Sequence, residues 1–260
     1  MSYWAERVAK AQAKLTKKSV RQTEIQLRKY YKQTMESVIA EFEATYNKLL
    51  STMEEGRQPT PADLYKLDKY WQLQGQLKGQ LQKLGDRQAV LLSKNFELHF
   101  FEIYYSFGVP SATAFSTIST EAARQMINQI WVADGKSWSQ RLWGNTEHLL
   151  QTLNDGLIEC VVSGKKTTQL KNILQERFGV SYSRADALVR TEMAHIQTQA
   201  ATQRYKDYGI QEVEIWADED ERRCDICGEL HQKRYPIGAN VPIPAHPRCR
   251  CCVVPVVETE

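Results

Sequence analysis

Between Cys224 and Cys252 the chain places five of its six cysteines and two of its five histidines, which limits what the C-terminal quarter can fold into. Cys224 and Cys227 form a C-x-x-C. A Pro-rich connector then leads to His246 and Cys249, spaced H-x-x-C, with Cys251 and Cys252 directly behind. Two close pairs of soft ligands separated by a loop suit a tetrahedral zinc ion, because each pair grips one side and the loop brings the pairs together. A closed site of this kind is structural: the metal helps to fold the segment and carries no chemistry. The first reading of the ligand set is Cys224, Cys227, His246 and Cys249. Cys251 is an alternate for His246, and His231 is a less favoured fourth ligand. Cys251 and Cys252 are adjacent, so they would not both reach one ion. The competing readings are a disulfide or inert thiols. Disulfides need an oxidising compartment, whereas residues 1–15 are charged and lack the apolar core of a secretory signal.

The rest of the chain reads as mainly α. Glycine and proline are sparse before the C-terminal quarter, and the 42% hydrophobic content is enough for a real core. The expected organisation is a helical arm or hairpin over 1–110, a helical middle over 111–209, and a small β-containing, zinc-stapled module over 210–260. The polar stretch 111–120 is the expected linker. Tyr31, Met35, Val38, Phe42, Tyr46 and Leu49 step by threes and fours along one helix face. Ser19 with Gln22 has the form of a capping box, which would divide a basic first helix from a longer second one. Thr60-Pro61-Ala62-Asp63 has the cap, the proline and the acid of a helix start, and that helix is expected to run to about Leu84. Leu64, Leu67, Trp71, Leu77, Leu81 and Leu84 would supply its apolar mass. Gly75 and Gly79 suggest close packing of a neighbouring backbone. Asp86 is expected to open the next helix, whose aromatic second half (Phe96, Phe100, Phe101, Tyr104, Tyr105, Phe107) reads as core. Further helices are expected at 121–131, 138–162 and 168–178. Another begins at the Ser183/Asp186 capping pattern and ends before Gly209. Residues 212–216 and 252–257 have the composition of strands. The acids at 218–221 read as solvated side chains.

The net charge of +3 decides little, but its distribution is uneven: residues 1–33 hold nine Lys/Arg against Glu6 and Glu24. Arg7, Lys10, Lys14, Lys17, Lys18 and Arg21 are candidates for contact with DNA phosphates or an acidic partner. A solvated helix face accounts for them equally well. No apolar run approaches the roughly 20 residues needed to cross a bilayer.

The R-T-E of Arg190 to Glu192, a Trp before an acidic run, the C-x-x-C and the H-P-x-C-R-C at His246–Cys251 together resemble the C-terminal half of the Mu F-like minor head (head-morphogenesis) proteins of tailed bacteriophages. The resemblance covers roughly 183–257 and is most specific at H-P-x-C-R-C. It implies a virion component inside the capsid, made in the host cytoplasm, associated with the portal protein or inner capsid surface, and acting in head assembly and DNA packaging or delivery. Weak, salt-sensitive DNA binding without sequence preference would fit such a role. Arg190 and Glu192 point to different helix faces and are candidate contacts to the C-terminal module. The expected role is structural, not enzymatic. Two alternatives stay open. One is a metal-dependent nuclease of HNH-like type, with His231 or His246 activating water. The other is a zinc-containing DNA-binding protein. A catalytic role for Glu192 and His195 is disfavoured, since no nucleophile or open metal site is evident near them.

Overall fold

A computed structural model describes residues 3–54, 57–106, 117–217, 220–221 and 223–257. The expected helix end at Phe107–Pro110 and most of the 111–120 linker lie outside the described residues, as do Asp218 and Glu219. Among the described residues there are seven helices and three strands: α1 (Tyr3–Ser51), α2 (Pro61–Tyr65), α3 (Asp68–Ser106), α4 (Thr120–Ile127), α5 (Trp138–Val162), α6 (Thr167–Asp207), β1 (Glu212–Trp216), α7 (Asp225–Leu230), β2 (Arg234–Pro236) and β3 (Cys252–Pro255). The protein is therefore mainly helical with a small sheet.

Three expected helix breaks are absent. Helix α1 passes through Ser19, whose Oγ donates to Glu102 at 3.2 Å instead of capping. Nothing from 3 to 51 interrupts helical hydrogen bonding, so a cap-like pair has no free amides to satisfy. Helix α3 runs through Asp86, and α6 runs through Ser183 and Asp186. By contrast, the Thr60 cap forms as expected. Its Oγ1 accepts the Asp63 amide at 3.3 Å, and the Asp63 carboxylate accepts the Thr60 amide at 3.0 Å. The helix it starts lasts only five residues before α3 takes over at Asp68. The glycine expectation also needs correction. An added Cβ at Gly75 or Gly79 would meet nothing within 4 Å, whereas at Gly85 it would lie 2.3 Å from the Trp143 ring. Gly85 is thus the close approach. Trp71, expected in the core, is 61% exposed.

The chain divides into two compact units. One comprises 25–90 and 139–186. Its core joins Phe42, Tyr46, Leu77, Leu81, Leu153 and Leu174, and the buried Tyr46 hydroxyl donates to the Cys160 carbonyl at 3.2 Å. The face expected from Tyr31 to Leu49 is the buried one, with Met35 partly covered.

The other unit comprises 1–24, 91–138 and 187–260. Here Phe96, Phe100, Ile103 and Tyr104 are buried, as their aromatic helix suggested, while Tyr105 is half exposed. The strands form one antiparallel sheet in the order β2-β1-β3, with Ile215 opposite Val253 and Trp216 opposite Cys252. Alternation places Val213, Ile215 and Val253 on one fully buried face. On the other, Trp216, Cys252 and Val254 pack against Ala5 and Ala9 of α1. A buried polar seam adds to this contact. Gln12 Nε2 donates to the Tyr205 hydroxyl and to the Val253 carbonyl, both at 2.8 Å, and Gln197 Nε2 donates to Gln12 Oε1 at 3.0 Å. The first turns of α1 are therefore bound into the sheet. The close of α6 is a glycine cap: Gly209 at φ +74°, with the Ile210 amide on the Tyr205 carbonyl at 3.0 Å.

Candidate metal centre

Cys224 is the N-cap of α7, and its Sγ accepts the Cys227 amide at 3.5 Å. The C-x-x-C therefore folds back on itself at the start of a single helical turn, which carries Cys227 inward to 4% exposure. The second pair sits on a tight turn. The Cys249 amide donates to the His246 carbonyl at 3.1 Å, with Arg248 in the left-handed region at φ +63°. His246 Nδ1 donates to the Pro247 carbonyl at 2.9 Å. A carbonyl can only accept, so Nδ1 carries the proton and Nε2 presents its lone pair. That Nε2 lies 3.3 Å from Cys224 Sγ and 3.1 Å from Cys227 Sγ, and Cys227 Sγ lies 3.8 Å from Cys249 Sγ.

Among the described residues the donors gather as two overlapping trios that share Cys227: Cys224–Cys227–His246, and Cys227–Cys249–Cys251, each within 4.8 Å. The second trio is wholly buried. With zinc–sulfur bonds of about 2.3 Å, a tetrahedron has sulfur–sulfur edges of about 3.8 Å and sulfur–nitrogen edges of about 3.6 Å. The Cys227–Cys249 separation already has that value, and the His246 separations are only slightly short of it. Within each trio the donors suit a thiophilic ion, whereas Cys224, Cys227, His246 and Cys249 do not all lie within 4.8 Å of one another as one group.

Electrostatics favour a cation here as well. The Cys227 amide holds the Cys224 thiol below its ordinary range, and a hydrogen bond from Cys251 brings Cys249 down to about 5. Burial pushes Cys227 up to about 12, and Cys251, next to the Cys249 sulfur, is raised too. The Pro247 carbonyl raises His246. Two thiols are thus eased toward the thiolate while the two beside them are held protonated, a conflict that a bound cation removes.

Other residues singled out from the sequence lie elsewhere. His231 Nδ1 accepts the Ala217 amide at 3.1 Å, and its ring stands edge-on to Trp216, so it belongs to neither trio. Cys252 faces Ala5 and Ala9. Arg250 forks onto Asp220 at 2.6 and 2.5 Å, tying the acidic run to the cysteine turn. Arg7, Lys10, Lys14, Lys17, Lys18 and Arg21 are all exposed, pointing away from the Ala5–Ala9–Gln12 side of α1. Within that set Lys10 pairs with Glu6, Lys18 with Glu102 at 3.1 Å, and Arg7 stacks on Trp4.

On α6, Arg190 pairs with Glu24 of α1, and Glu192 accepts the Trp131 indole N–H at 3.0 Å. His195 stacks on the same indole with 4.3 Å between centroids, and burial lowers it to about 4. Glu192 and His195 thus anchor the segment after α4. Thr191, between Arg190 and Glu192, reaches the metal turn: its Oγ1 accepts the Arg248 amide at 3.0 Å. Nothing in the local sequence pattern singles out that contact, since the partners are 57 residues apart.

Residues 151–254 match the family model described as Phage Mu protein F like protein. The match contains the R-T-E segment and every donor of both trios, and it supports a Mu F-like head-morphogenesis family. No curated protein and no solved structure matches the chain. No helix among the described residues is long and apolar enough to cross a membrane.

Proposed function

We propose that this chain, with its Mu F-like stretch over 151–254, is a minor head protein that acts structurally, docking on the portal protein or the inner capsid surface during head assembly and DNA packaging or delivery. In this reading it resides in the capsid interior and performs no catalysis. The observation that carries the reading is the coincidence of the family match with a compact donor cluster next to the R-T-E helix.

In this account Cys224, Cys227, His246 and Cys249 hold one structural zinc, with Cys251 and His231 as alternates. Bound zinc would supply cross-linking and no reaction. Such a staple is needed because the sheet has only three short strands and its loops carry few apolar residues. The exposed cations of α1 give a sequence-blind contact for DNA or an acidic partner surface.

The test is co-expression with the cognate portal protein, followed by purification on the portal. Stoichiometric retention that survives high salt and nuclease supports portal docking. Free elution of both proteins goes against it. Plasmid cleavage with Mg²⁺ or Mn²⁺ that disappears in His231→Ala would favour the nuclease alternative instead.

A further inference from the structure

We infer that Thr191 is a positioning residue for the metal turn: it anchors the backbone between His246 and Cys249 to helix α6. This rests on the zinc reading above and assigns a physical role to the middle of the R-T-E segment. Consecutive helical residues are about 100° apart, so three in a row point three ways. Arg190 reaches Glu24 and Glu192 reaches Trp131, while Thr191 reaches Arg248.

Both functions of the Thr191 hydroxyl are used. It donates to the Ala187 carbonyl at 2.7 Å and accepts the Arg248 amide at 3.0 Å. That amide belongs to a non-glycine residue at φ +63°, a conformation uncommon outside glycine, asparagine and aspartate. The unusual φ at Arg248 belongs to the turn in which His246 and Cys249 are joined by a 3.1 Å backbone hydrogen bond. A side chain on a long helix thus holds the strained residue in place, and the two donors flank it. Groups that hold metal ligands in position without touching the ion commonly govern affinity by about 10–100-fold.

The experiment is zinc affinity of the full chain by competition with a chelating dye, for wild type, Thr191→Val and Thr191→Ser. Valine keeps the shape and removes both hydrogen bonds; serine keeps both. The expected result is a 10–100-fold weaker affinity for Thr191→Val, recovery to within about twofold by Thr191→Ser, and unchanged helical signal throughout. Thr191→Val binding as tightly as wild type, or Thr191→Ser as weak as valine, would overturn the inference while leaving the zinc site standing. A wild-type chain that takes up no zinc would overturn both. Should Thr191→Val lose helical signal, exchange of the Arg248 amide in the zinc-loaded wild type decides. Slow exchange supports the anchor, and exchange at the rate of an open loop contradicts it.

Discussion

Gly85 and Gly75 lie on the same helix, yet alanine should act on them with opposite sign. In a helix interior alanine is favoured over glycine by about 0.8–1.0 kcal/mol. At Gly75 the new methyl enters open space, so most of that gain should appear as stability. At Gly85 the Cβ would lie 2.3, 2.6 and 3.0 Å from three carbons of the Trp143 ring. Carbon atoms prefer about 3.5–4.0 Å, so the indole must retreat by more than 1 Å. Overpacking costs about 1–3 kcal/mol, and a displacement this large belongs toward the upper end, so it exceeds the helical gain and leaves a net loss of up to about 2 kcal/mol. Thermal unfolding followed by helical ellipticity reads both effects, at about 2–4 °C per kcal/mol for a chain of this size. Trp143→Ala isolates the cause, because in that background Gly85→Ala should become stabilising. A Gly85→Ala protein that melts above wild type, or a loss that persists without the indole, would refute the packing argument.

Other outcomes follow from the unit that carries the metal cluster. Gln12→Leu removes the amide that bridges Tyr205, Val253 and Gln197 in a buried seam and strands Gln197 Nε2, while the Tyr205 hydroxyl keeps its 3.3 Å bond to the Val253 carbonyl. It should cost about 1–3 kcal/mol and speed amide exchange in β3; a loss below about 0.5 kcal/mol in urea unfolding would count against the seam. Burial holds His99 and His195 at about 4, against 6.5 for a free imidazole, so between those values the unfolded chain binds more protons. Stability should therefore be full above pH 6.5 and fall as pH drops toward 4, by about 3 kcal/mol per histidine. A flat pH 4–6.5 profile in a His99→Gln, His195→Gln control, with the slope retained by wild type, is the matching observation. Deleting residues 1–18 should loosen the sheet, since it removes Ala5, Ala9 and Gln12. An unchanged exchange pattern in β1 and β3 would contradict that dependence.

The cysteine turn was readable from the sequence because its chemistry is local: four donors lie within two short spacings. Thr60 and Asp63 were readable for the same reason, and so was β1, whose alternation spans five residues. Helix boundaries inside α1, α3 and α6 were not. Ser19, Asp86 and Ser183 have the composition of caps, but a cap forms only where the chain leaves amides unsatisfied. The close approach at Gly85 was not readable because its partner, Trp143, is 58 positions away in sequence, and Ala5 and Ala9 are too small to mark a buried stripe. Thr191 and Arg248 stayed hidden for the same reason as Gly85: no periodicity reports a contact between distant segments.

Zinc content together with the zinc X-ray absorption edge of the purified chain tests the metal staple most directly. The staple requires one zinc per chain, four-coordinate with three sulfurs and one nitrogen (four sulfurs where Cys251 replaces His246), lost in Cys227→Ser along with the ordered sheet while the helices persist. A chain that folds its sheet without metal, or an ion with an open position filled by water, would contradict it.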